Sequence, residues 1–63
     1  MTYSERFKAA RKAAGYTQRS CAEKYGIPVR TIENWEAGKN TPPDYVQRLM
    51  LAEMARRAAE KEK

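Results

Sequence analysis

The chain has 63 residues, of which 13 are Lys or Arg and 8 are Asp or Glu, so its net charge at neutral pH is +5. A chain of this length forms one small domain at most. It has no His and one Cys, which excludes a Cys/His metal site and His-dependent nucleophiles, and its three Gly are too scattered for a phosphate loop. We expect no enzyme, no metal and no other cofactor.

The apolar residues do not form a membrane span or a secretion signal. No segment approaches about 18 consecutive apolar residues, and the first six residues have no apolar signal region. We therefore expect a soluble cytoplasmic protein that is not secreted. Cys21 fits a reducing compartment and is expected to be buried rather than reactive. The basic excess favours a polyanionic partner, but it needs a motif to become specific.

The first two predicted helices have clear start and stop signals. Thr2 and Glu5 stand in capping-box spacing before a helix of about residues 3 to 14, and Thr17 is the N-cap of a short helix that ends at Tyr25. Glycines suited to a left-handed stop follow the first three helices: Gly15, Gly26 and Gly38. The predicted core positions of these two helices are Tyr3, Phe7, Ala10, Ala14, Cys21, Ala22 and Tyr25.

The third helix is predicted to begin at Pro28, where a missing N–H is harmless. Ile32 and Trp35 form its buried stripe, so we interpret Trp35 as a core residue rather than a base-stacking one. Thr41 and Asp44 have capping-box spacing at the start of a long fourth helix. Its predicted core positions are Val46, Leu49, Met50 and Met54. The whole is a single domain, with a core of about residues 3–54 and a helical extension of about 51–63.

Two short helices joined by a Gly-containing turn form a helix-turn-helix, whose second helix normally enters the DNA major groove. Over about residues 7 to 50 the sequence resembles the Cro and lambda-repressor-like (XRE) helix-turn-helix family. The residues that carry the resemblance are Thr17-Gln18, Cys21-Ala22, Gly26-Ile27, Thr31-Ile32, Trp35-Glu36, Gly38 and Pro42. It implies an all-α bundle of four helices. It also implies a prokaryotic or phage repressor that binds a two-fold symmetric operator as a homodimer and associates with the nucleoid.

The resemblance also implies which residues meet DNA. Those expected to face base edges are Pro28, Val29, Arg30, Glu33 and Asn34. Those expected to contact phosphates are Thr17, Gln18, Lys39, Asn40 and Thr41. The family often has an Arg–Glu ion pair that joins the first helix to the end of the third, which here predicts a structural pair of Arg11 and Glu36.

The side-chain chemistry at the base-facing positions can be weighed separately. Arg30 can donate two hydrogen bonds to guanine, Asn34 can pair with adenine, and Val29 offers an apolar contact to a thymine methyl. For Arg30, a phosphate contact or a pair with Glu33 is an equally good interpretation. For Glu33, orienting Arg30 is favoured over accepting from cytosine, because a carboxylate near phosphates is disfavoured.

Specific binding normally needs two half-sites about 34 Å apart, and the fourth helix extends past the core. The predicted dimer interface is its apolar strip: Leu51, Met54, Ala55 and Ala58. The alternative is an exposed alanine-rich helix without a partner. Two rival functions also remain open, an antitoxin-like module that binds a protein and a nonspecific nucleoid coat.

Overall fold

The computed structural model describes residues 2–61, which form four helices in chain order. Their bounds are Tyr3–Ala13 for α1, Gln18–Tyr25 for α2, Val29–Ala37 for α3 and Asp44–Lys61 for α4. No strand occurs within this described range, and the predicted all-α bundle with a long last helix is confirmed. Met1, Glu62 and Lys63 belong to the predicted domain and lie outside the described residues.

Reciprocal capping boxes begin α1 and α2. Thr2 Oγ1 accepts from the N–H of Glu5 at 3.3 Å, and the Glu5 carboxylate accepts from the N–H of Thr2 at 3.0 Å. This second bond lowers the pKa of Glu5. Thr17 Oγ1 accepts from the N–H of Ser20 at 3.0 Å, and Ser20 Oγ accepts in return at 2.9 Å. Both starts are set locally, as the sequence predicts.

Glycines end α2 and α3 through left-handed backbone that L-residues with a side chain rarely adopt. Gly26 has φ 68° and Gly38 has φ 77°, each at a C-cap. Gly26 also lets the chain turn sharply, so that the N–H of Ile27 donates to the carbonyl of Ala22 at 3.0 Å. The two helices of the helix-turn-helix are therefore joined at the predicted place.

The starts of α3 and α4 differ from the predictions. α3 begins at Val29, and Pro28 occupies the N-cap with extended backbone and no side-chain cap, since it has no hydroxyl. α4 begins without the predicted capping box of Thr41. Instead the carbonyl of Pro43 accepts from the first turn, and the side-chain amide of Gln47 donates to the carbonyl of Pro42 at 2.9 Å.

The core lies where α1 packs against α3 and α4 and where α2 packs against α3. Its buried apolar residues are Phe7, Ala14, Tyr16, Cys21, Ala22, Ile32, Trp35, Met50 and Met54. Trp35 packs edge-on against Phe7, with ring centroids 5.6 Å apart, and against Tyr3 at 6.3 Å. It is therefore a core residue, as predicted, and is not free to stack on bases. Burial raises the pKa of the Cys21 thiol.

One predicted core position of α4 is wrong. Leu49 is 62% exposed, whereas Met50 and Met54 are buried. Residues four apart share a helix face, so Val46, Met50 and Met54 form one line toward the core. Leu49 lies about 100° around the helix from Met50 and faces away. Tyr45, four residues before Leu49, is exposed on the same outer side.

Candidate nucleic-acid interface

α3 has one buried side and one exposed side, because Ile32 and Trp35 anchor it from beneath. The predicted base-facing residues on its exposed side are Pro28, Val29, Arg30 and Glu33. Asn34, the fifth, is only partly exposed, and its main-chain carbonyl accepts from the N–H of Lys39 at 3.0 Å. The first turns of α3 therefore offer the freest side chains to a groove.

The N-terminus of α2 is a second polar feature. Thr17 is exposed and Gln18 is half-buried. The capping box satisfies the N–H of Ser20, while the N–H groups of Gln18 and Arg19 have no acceptor within the helix. Free N–H groups and the positive end of the helix dipole attract an anion. This end of α2 is therefore suited to a phosphate.

Arg11 and Glu36 form a two-pronged ion pair between α1 and α3. Arg11 Nε lies 2.7 Å from Glu36 Oε2, and Arg11 Nη2 lies 3.0 Å from Oε1. The Glu36 side chain is only 4% exposed. Hydrogen bonding to Glu36 raises the pKa of Arg11, so the guanidinium stays charged. The third nitrogen, Nη1, donates to the carbonyl of Tyr16 at 2.9 Å.

The same carboxylate orients Gln18. Gln18 Nε2 donates to Glu36 Oε1 at 3.3 Å, which leaves the second N–H of the amide for another acceptor. Gln18 is thus held between the structural ion pair and the free end of α2. The chemistry of the site is that of a fixed hydrogen-bond donor for an oxyanion such as a phosphate.

The segment after α3 carries the remaining predicted phosphate contacts. Lys39, Asn40 and Thr41 are all exposed. The main-chain N–H groups of Lys39 and Asn40 both point to the carbonyl of Asn34, at 3.0 and 3.5 Å. The backbone of this segment is therefore tied to the end of α3, while its side chains remain in solvent.

Two lysines that the sequence analysis did not single out belong to this region. Lys8 and Lys12 of α1 are exposed and line an open groove of about 380 Å³ together with Gln18, Glu33 and the Arg11–Glu36 pair. Their spacing of four residues places them on one helix face. That face reaches the end of α2 because α1 packs against α3, and a contact between distant helices is not visible in the local sequence pattern.

The predicted dimer strip is not a continuous exposed surface. Leu51 and Ala58 are half-buried and Ala55 is exposed. Met54 is completely enclosed by its own chain, so its assignment to the interface is wrong. It completes the core of the monomer instead, because it follows Met50 on the inner line of α4.

Among residues 2–61, no three His, Cys, Asp or Glu side chains are grouped so that they could hold a metal ion. Among the same residues, no helix combines the length and the apolar character that crossing a bilayer requires.

The family comparison agrees with this geometry. A family model described as helix-turn-helix, of the XRE type, matches residues 7–52. The chain therefore belongs to this helix-turn-helix family, a family of DNA-binding, non-enzymatic domains, and is a DNA-binding regulator of the XRE type. No curated protein and no solved structure matches the chain significantly.

Proposed function

We propose that the protein is a transcriptional repressor that binds a two-fold symmetric DNA operator as a homodimer, with α3 in the major groove. The observation that carries the proposal is the exposed first half of α3 on a buried anchor of Ile32 and Trp35. A groove-reading helix needs this rigidity, because base contacts depend on precise side-chain placement. Such a protein acts in the cytoplasm, where the nucleoid is.

Arg30 is the proposed centre of base recognition. It is exposed near the start of α3, and a guanidinium can donate two hydrogen bonds to guanine O6 and N7. Val29 beside it offers its methyl groups to a thymine. Glu33, three residues after Arg30 on the same helix and on the groove that holds Lys8 and Lys12, is proposed to orient Arg30. Pro28 and Asn34 contribute the edges of the contact.

Phosphate contacts are proposed from two groups of residues. The first group is the N-terminus of α2, with Thr17 and Gln18, and the lysines of α1, Lys8 and Lys12. The second group is the segment that follows α3, with Lys39, Asn40 and Thr41. All of these residues are exposed or partly exposed, and Lys8, Lys12 and Lys39 carry positive charge. Phosphate contacts set the register of the protein without naming a base.

The homodimer is proposed to form through α4. Leu51, Ala55 and Ala58 remain available in part, whereas Tyr45 and Leu49 are the largest exposed apolar side chains of this helix. The two groups lie on different sides of α4, so a single substitution in each group shows which side forms the interface. We expect Leu49→Lys to yield a monomer in sedimentation if the outer side is the interface, and Ala55→Lys to do so if the original strip is. A wild-type protein that stays monomeric at high concentration, with and without DNA, excludes the dimer.

The test of the function is a salt titration of duplex binding with two variants. If about five phosphates are neutralised per subunit, the slope of log K against log salt is near −4.5. Arg30→Ala is expected to relax sequence preference. Lys39→Ala is expected to weaken binding to all duplexes and to make the negative slope shallower by about 1. No duplex affinity at low salt would instead support the antitoxin-like, protein-binding function. Equal affinity for all duplexes would support a nucleoid coat.

A further inference from the structure

The C-terminal half of α4 is attached to the connection between α1 and α2 through Arg57. Arg57 Nε donates to the carbonyl of Ala14 at 3.3 Å, and its guanidinium carbon lies 4.6 Å from the centre of the Tyr16 ring. Ala14 caps α1, where carbonyls have no partner within the helix. One side chain of α4 therefore donates to a free carbonyl at the end of α1 and also packs on Tyr16, the residue before the N-cap of α2.

Lys61 adds a second approach of α4 to the same connection. A Cβ built at Gly15 would lie 2.6 Å from Lys61 Nζ, so the lysine side chain passes directly over the glycine. Gly15 has φ 84°, and its lack of a side chain leaves space for this crossing. The last turns of α4 thus contact the short segment of residues 14–16.

Tyr16 connects this contact to the proposed DNA-binding surface. Its ring is buried between Arg57 and the edge of Tyr25, whose ring centroid lies 6.0 Å away. Its carbonyl accepts from Arg11 Nη1 at 2.9 Å, and its N–H donates to the carbonyl of Arg11 at 3.0 Å. The next residue is Thr17, the N-cap of α2. The position of Tyr16 therefore places the N-cap of α2 relative to the end of α1.

We propose that Arg57 is a positioning residue for phosphate binding at the N-terminus of α2. It acts through Tyr16: the guanidinium fixes the ring, and the backbone of Tyr16 fixes both the N-cap and the Arg11 side chain. Arg11 in turn holds Glu36, which orients Gln18. Arg57 itself need not contact DNA. This inference rests on the proposed function, because it assigns a role in the binding of phosphates at that site.

Arg56 provides a matched control on the same helix. It carries the same charge, its side chain is 68% exposed, and its guanidinium pairs with Glu53 at 3.1 Å. Arg56→Met and Arg57→Met therefore remove equal charge from adjacent positions. Only the second removes the contacts to Ala14 and Tyr16. Arg57→Lys keeps the charge near the ring and is the conservative variant.

The experiment measures the affinity of each variant for one duplex, the sequence that the wild-type protein prefers. It is done under conditions where Trp35 fluorescence shows each variant to be folded. We expect Arg57→Met to weaken binding about 3- to 10-fold more than Arg56→Met does, and Arg57→Lys to recover part of the loss. In a Gln18→Ala background the effect of Arg57→Met is expected to shrink, because the contact that it positions is gone. General destabilisation would leave the effect the same in both backgrounds.

Amide exchange without DNA provides an independent readout. Arg57→Met is expected to speed exchange at Tyr16 and Ser20, whose N–H bonds hold the start of α2, with less change at Trp35 in α3. Equal affinities of the two Met variants with unchanged exchange would overturn the positioning role while leaving the DNA-binding proposal intact. If the wild-type protein binds no duplex at all, the proposed function and this role fail together.

Discussion

Removing the positive partner of the Arg11–Glu36 pair is expected to be among the most destabilising single changes in this chain. Arg11→Met leaves the Glu36 carboxylate, 4% exposed, with one remaining donor, Gln18 at 3.3 Å. It also removes the donor to the carbonyl of Tyr16. Breaking a buried pair by removing one partner costs about 3–5 kcal/mol, because it strands an uncompensated charge. A domain of 63 residues has a free energy of unfolding of about 3–9 kcal/mol, so the change removes about half of the stability or more, and it unfolds the variant in water if the wild-type value is at the lower end of that range.

The assay is urea denaturation followed by the fluorescence of Trp35, the single Trp of the chain, with an osmolyte added when a variant needs stabilising. The double variant Arg11→Met/Glu36→Met is expected to be more stable than Arg11→Met alone, because no charge is then left buried. Arg48→Met is the control. Its pair with Asp44 is 2.9 Å long but its side chain is 82% exposed, so the change is expected to stay within about 0.5 kcal/mol. If Arg11→Met cost as little as Arg48→Met and the double variant recovered nothing, the pair would not support the fold.

Two further substitutions and one chemical modification test other features. The Tyr3 hydroxyl is buried without a hydrogen-bond partner, and burial raises the pKa of Tyr3 to about 12 from 10.0. The unfolded chain therefore loses this proton at a lower pH than the folded chain does, so the free energy of unfolding falls as the pH rises from 10 toward 12. Tyr3→Phe is expected to reduce this fall in urea titrations at alkaline pH. Gly26→Ala is expected to cost about 1–2 kcal/mol from backbone strain alone, since φ is 68° and no atom lies within 4 Å of the added Cβ; an unchanged denaturation midpoint would contradict this. Cys21 is buried with a raised pKa, so a thiol reagent is expected to modify it only as fast as the protein opens; rapid modification of the native state would show that it is accessible.

The parts of the fold that the sequence predicts well are those governed by nearby residues. The capping box of Thr2, the N-cap at Thr17 and the left-handed glycines at 26 and 38 depend on interactions within a few residues. The start of α4 is different, because a Pro43 carbonyl and the Gln47 side chain replace the expected Thr41 cap. Two prolines before a helix leave several local solutions that spacing alone does not distinguish.

The errors on α4 have a common physical cause. An alanine-rich helix has apolar residues on several sides, so the sequence does not show which side packs. Packing against α1 selects the line of Val46, Met50 and Met54, which leaves Leu49 outside and removes Met54 from the interface. The long-range contacts were equally hidden from local patterns. Arg57 and Ala14 are 43 positions apart, and their contact depends on where the end of α4 lies.

The proposed function depends on recognition of a specific duplex sequence by the exposed face of α3. The most direct measurement is selection of binding sites from random duplexes, repeated at two salt concentrations with the wild-type protein and with Arg30→Ala. We expect a two-fold symmetric consensus for the wild-type protein, with half-sites about 34 Å apart, and a loss of preference at specific base pairs for the variant. A wild-type protein that enriches no sequence, or a variant with an unchanged consensus, would contradict recognition through α3.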